Sequence, residues 1–135
     1  MKRFKTDSWL KIAYLTAGVY DIVLGVGLVF LAKPFSLISG VSLPDSLIFV
    51  QVSGLFLITM GYFLIYSCRN PKNFVFVGVG SAFVRFSYVM IIILALLVGT
   101  IESAFVFLAA TDGLTGLFIL LVLVLTEGIS WRKVW

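Results

Sequence analysis

Along this chain the polar positions collect in short stretches and leave four long runs almost wholly apolar: residues 12–32, 47–67, 74–99 and 103–126. A helix needs roughly 20 mostly apolar residues to cross a hydrocarbon core, and each run meets that length. None shows the alternation of apolar and polar residues, over about ten positions, that marks a membrane barrel strand. In lipid a segment has to satisfy its own backbone hydrogen bonds, so helices are expected. The pattern predicts an all-α fold, an integral membrane bundle of four transmembrane helices forming one domain over residues 1–135.

The connections are KPFSLISGVSLPDS, CRNPK and a very short turn around TIE. In the first of them Pro34 and Pro44 bracket a segment whose Phe35, Leu37, Ile38, Val41 and Leu43 are too apolar for a free loop. Residues 34–44 are therefore expected to lie on the outer interface or to fold back over the bundle. The basic start MKRFK suggests a signal peptide. Its apolar run, however, exceeds the roughly 7–15 residues of such a segment, and no small-residue cleavage site follows, so the first run reads as a retained helix.

Composition agrees with a membrane setting. The chain is 61% hydrophobic and 12% charged, against about 45–50% and 25% in soluble domains, and its mean hydropathy is +1.18. The net charge of +4 resolves into topology rather than a nucleic-acid surface. Lys2, Arg3, Lys5, Lys11, Arg69, Lys72, Arg132 and Lys133 all fall on one side of the predicted bundle, with Lys33 alone on the other. By the positive-inside rule both termini are expected in the cytoplasm. Trp9, Trp131 and Trp135 sit where interfacial aromatics belong.

Each run also carries a polar residue at a cost. Asp21, Arg85 and Asp112 each lie near the middle of the first, third and fourth runs, and Gln51 lies nearer the outer end of the second. A charge at the centre of a membrane helix costs about 2.5–3.5 kcal/mol on insertion scales. Three lipid-facing charges at one depth would be a large penalty, whereas an arginine facing two carboxylates offsets most of it. Arginine presents five donors in a planar fork, enough to bridge two carboxylates. A buried Asp21–Arg85–Asp112 cluster is the expectation. Helical spacing places Gly78, Ser81 and Tyr88 on the face of Arg85, Tyr14, Gly18 and Gly25 on that of Asp21, and Ala109, Thr115 and Gly116 on that of Asp112. Gln51, Ser81, Tyr88 and Thr115 are thus the supporting polar groups. Two aspartates and one arginine sum to −1 when all are ionised, so the cluster is either a latch that fixes helix register or a site for a proton, a cation or a polar headgroup.

Other features carry less chemistry. The sequence has no histidine, which removes the commonest general base and the usual metal ligands. Ser81 and Ser87 have no base beside them, so no catalytic constellation and no metal site is read, and no cofactor can be named. Cys68 follows the second run, where it is either a palmitoylation site or an inert thiol. Gly25, Gly27, Gly78 and Gly80 lie inside apolar helices and read as packing positions, not a phosphate loop. Tyr14, Tyr20, Tyr62, Tyr66 and Tyr88 are candidates for a quinone or lipid pocket or for plain packing. YDIVLG and TDGLTG share an Asp-x-x-x-Gly spelling that an inverted repeat would produce.

Four helices in this length, the loop FSLISGVSLP and a second helix opening on VQVSGLFLITMGY resemble the DoxX-like superfamily of small prokaryotic membrane proteins. The resemblance implies a helical bundle that works beside a partner, and some members of that group are subunits of a thiosulfate:quinone oxidoreductase. It carries no catalytic residue onto this chain.

Three functions are therefore expected: a small accessory or subunit protein acting through a membrane-protein partner or a second copy of itself, a proton- or ion-coupled carrier using the cluster, or a quinone- or lipid-binding subunit of a redox system. The first is favoured, because the extramembrane segments are too short for a catalytic domain. Membrane lipid and a small hydrophobic ligand are the expected contacts, nucleic acid is not, and a prokaryotic plasma membrane is the expected location.

Overall fold

A computed structural model of the chain describes residues 6–99 and 103–126. These form five helices: α1 Thr6–Phe30, α2 Ala32–Ser39, α3 Ile48–Ser67, α4 Val75–Val98 and α5 Ser103–Leu125. All but α2 are long and apolar enough to cross a membrane, and no strand occurs among the described residues. Lys2, Arg3, Lys5, Trp131, Arg132, Lys133, Trp135 and the turn over residues 100–102 lie outside the described residues.

The first span departs from its expected bounds at both ends. α1 starts at Thr6 rather than residue 12, because hydropathy marks where a helix enters lipid and not where it begins. It ends at Phe30 rather than residue 32 for a covalent reason. Pro34 has no backbone N–H and its ring crowds the carbonyl four residues back, which is that of Phe30. The chain kinks at Leu31 and continues as α2, where Pro34 sits in the first turn and its missing donor has no partner to lose. Gly40, at φ 72°, closes α2 in the left-handed conformation, and its N–H donates to the Ser36 carbonyl at 2.9 Å. Segment 34–44 is thus a helix followed by an extended stretch. Leu37 and Ile38 point outward and Val41 is buried.

The long helices pack as two pairs, α1 along α3 and α4 along α5, joined mainly through α1 and α5. The α1–α3 pair is a backbone contact. Gly18 faces Gly61 and Gly25 faces Gly54, one heptad apart on each antiparallel helix. A Cβ placed on any of the four would sit 2.5–2.8 Å from the facing glycine's carbonyl oxygen. In a membrane, where no hydrophobic effect drives helices together, such close approach of small residues is what holds a pair. Gly18 and Gly25, expected on the Asp21 face, make their close approach to α3, whereas Asp21 reaches Arg85 of α4. Nor do the two Asp-x-x-x-Gly motifs act alike, since Gly25 meets α3 whereas Gly116 lies against the Arg85 side chain.

The interior is uneven along its length. Towards the start of α1 it is filled by Leu10, Ala13, Tyr14 and Ala17 with Leu64, Val75, Ile119, Val122 and Leu123. Fully buried Tyr14 lies over Gly78 and donates to the Phe74 carbonyl at 3.3 Å. At the outer edge of this end Tyr62, Phe63, Tyr66, Phe74 and Phe76 form a chain of ring contacts, with Arg69 over Tyr66. Towards α2 the same space is left open.

The glycine pair makes a direct prediction. Gly25→Ala and Gly54→Ala force α1 and α3 apart and cost about 1–3 kcal/mol, as overpacking does. Gly27→Ala and Gly80→Ala, whose Cβ meets nothing within 4 Å, are neutral or stabilise by up to about 1 kcal/mol through helix propensity. Unfolding midpoints in one detergent, measured on all four variants, check the contrast.

Candidate functional site

At mid-length of the bundle α4 presents Arg85, 4% exposed, towards α1 and α5. Its Nη2 donates to Asp21 Oδ1 at 2.6 Å, its Nη1 donates to Asp112 Oδ1, and its Nε points to Ser81 Oγ at 3.4 Å. The expected cluster forms, and every guanidinium nitrogen has a partner. Gly116 of α5 makes room for the arginine stem: a Cβ there would stand 3.3 Å from Arg85 Cβ. Ser81 belongs to the site as expected, one turn before Arg85 on α4.

Two groups join the cluster that spacing alone did not assign to it. The Tyr20 ring centroid lies 5.5 Å from Arg85 Cζ, within cation–π range. The Tyr20 hydroxyl shares a 3.1 Å hydrogen bond with Thr111 Oγ1. Tyr20 and Thr111 each directly precede one of the aspartates, so a second polar layer links α1 to α5 beside the ion pairs. The signal available in the sequence was this adjacency, YD on one helix and TD on the other.

Two expected supporters stand apart. Thr115 shares the Asp112 face, yet its hydroxyl donates back to the Thr111 carbonyl at 2.8 Å and is satisfied within its own helix. Gln51 Nε2 donates to the Val29 carbonyl at 3.4 Å, which ties α3 to α1 well away from the charges. Tyr88 is half-buried and lines a cavity together with Asp112 and Tyr20.

That cavity is the open part of the bundle. Its volume is about 540 Å³, and it runs between the two helix pairs from Asp112 towards α2. Tyr20, Leu24 and Leu28 line it at successive turns of α1, a length on the order of 12 Å at 1.5 Å per residue, and Ala32 at the start of α2 continues the wall. Phe35 of α2 and Val41, Leu43 and Pro44 line its far end. The two aspartates are unequal with respect to it: the Asp21 side chain is 4% exposed, that of Asp112 18%. Only Asp112 lines the cavity, and no described residue donates a hydrogen bond to its Oδ2.

Cys68 is half-buried just past the end of α3. Its Sγ lies against the carbonyls of Leu64 and Lys11, at 3.4 and 3.5 Å. Burial pushes the thiol pKa up, which leaves little thiolate to react.

No protein-family profile, curated protein or solved structure matches the chain.

Removing the arginine leaves two buried carboxylates facing each other. Arg85→Ala is expected to cost about 3–5 kcal/mol. Combined with Asp21→Asn or Asp112→Asn it costs less than the sum of the single changes, by about 0.5–3 kcal/mol. Arg85→Lys does not restore stability, because one ammonium cannot reproduce the fork. A double-mutant cycle in detergent tests this, and strict additivity contradicts the cluster.

Proposed function

We propose that this chain is an integral membrane protein that holds a small, mostly apolar ligand inside its helix bundle and serves as a binding subunit. The observation that carries the reading is the cavity of about 540 Å³ ending on the Asp112 carboxylate. Apolar walls with a few convergent polar groups are the usual make-up of a small-molecule site. A polar group in such walls at membrane depth is a functional position by default. The same observation favours ligand binding over the carrier reading, since the Leu10–Tyr14–Leu123 core closes the bundle beyond the charges. The layout shared with the DoxX-like superfamily fits a subunit working beside a partner, and the short connections leave any chemistry to that partner.

Orientation is part of the proposal. Lys11, Arg69 and Lys72 lie at the packed end, where Cys68 reaches the Lys11 carbonyl, and Lys33 lies at the cavity end. The positive-inside rule then puts the packed end and both termini in the cytoplasm, with the cavity towards the outer leaflet.

Two measurements test the proposal. Mass spectrometry of protein purified in mild detergent is expected to show a bound hydrophobic molecule near one per chain. Leu28→Trp or Leu57→Trp, each filling the cavity wall, should lose it without losing the unfolding midpoint. A wild type that carries nothing, or carries as much as the filled variants, removes the ligand reading. For orientation, Asp45→Cys in a Cys68→Ser background should react with an impermeant maleimide from outside intact bacterial cells, and Asn73→Cys only after lysis. The reverse pattern inverts the topology.

A further inference from the structure

Resting on the chamber reading above, we infer that its ligand is a lipophilic cation: an apolar body carrying one positive charge, seated with that charge on Asp112. The first support is formal charge. Asp21, Asp112 and Arg85 sum to −1, and no described lysine or arginine lines the cavity. Asp21 is buried against Arg85, so of the two carboxylates it is that of Asp112 that borders the open volume. One monovalent cation there brings the cluster to neutrality, at a depth where an uncancelled charge is costly. A neutral hydrogen-bond donor would engage Oδ2 and leave the charge in place. An anion would add to it.

The second support is the lining. Tyr20 and Tyr88 stand beside Asp112 at the inner end, and tyrosine rings attract organic cations, most strongly where water is excluded. Arg85 is not among the lining residues, and the Tyr20 ring lies against its guanidinium. Leu24, Leu28 and Leu57 further along offer hydrocarbon for an alkyl or aryl body. Charge at one end, aromatic rings beside it and aliphatic walls beyond match a molecule with the same order of parts.

The test uses the full chain in phosphatidylcholine nanodiscs, with empty discs subtracted, and three probes of one chain length: decyltrimethylammonium, decanol and decyl sulfate. The wild type should bind the ammonium at least tenfold more tightly than decanol and exclude the sulfate. Asp112→Asn should abolish that preference, Asp112→Glu should keep it, and Leu28→Trp should weaken every probe. The wild-type comparison needs no variant, so a poorly folding Asp112→Asn leaves the inference testable. Decanol binding as tightly as the ammonium overturns the cationic assignment and leaves the chamber standing, its carboxylate then neutralised by a proton. No probe exceeding the empty discs, or Leu28→Trp matching the wild type for all three, overturns the chamber and the assignment together.

Discussion

A guanidinium held between two carboxylates, at the depth where the surrounding medium solvates charge least, sets the terms for the rest of this bundle. Arg85 cannot leave its partners without exposing three charges to hydrocarbon, so α1, α4 and α5 are fixed in rotation and in height relative to one another. The value of such an arrangement lies less in net stability than in register. A buried ion pair recovers its desolvation cost only in part, and an apolar replacement is often as stable, whereas losing one partner is severe. Among the described residues α3 gives the charges no ion pair or hydrogen bond, and it is held by a different force. Its Gly54 and Gly61 lie against Gly25 and Gly18 so closely that backbone meets backbone, and dispersion over that length replaces the electrostatic tether.

The cavity follows from combining the two fastenings. α1 is shared: one side is committed to α3 through glycine, the other to α4 and α5 through Asp21 and Tyr20. α3 and α4 therefore meet only sparsely, and the space between the pairs has to be filled by side chains or left open. Below the charge layer Tyr14, Leu64, Ile119 and Leu123 fill it. Above it the facing positions carry Leu24, Leu28 and Leu57, which line the space without closing it, and the kink at Pro34 brings Phe35 and Val41 over the top.

The spans were legible because hydropathy over some 20 residues reports directly on the solvent a segment meets. The triad was legible because charges at equal depth have few ways to avoid a large penalty, and pairing is the cheapest. Helix neighbours were not. Gly18 and Gly25 announce a close approach, but spacing says nothing about which helix approaches, and they turned out to face α3. Tyr20 lies about 100° around the helix from Asp21, off the face drawn through the charge, yet a side chain of that length reaches Arg85. Thr115 shows the reverse: it lies on the right face, but its hydroxyl is taken by its own helix. A cavity is the least legible feature, since it depends on which side chains fail to meet.

The question raised by an Asp–Arg–Asp cluster, whether it latches the fold or works on a ligand, has different answers for its two carboxylates. Asp21 is buried and bound to Arg85, and does what a latch requires. Asp112 has the same kind of bond to the same arginine, but it stands at the boundary between the packed and open halves and lines the open one. Arg85 serves both roles. By anchoring Asp112 through Oδ1 it limits how the carboxylate can turn, so the free oxygen is presented in a settled position and a ligand meets a preorganised acceptor. The latch is what makes the site rigid, and an aspartate at residue 112 without Arg85 behind it would be a mobile charge seeking water.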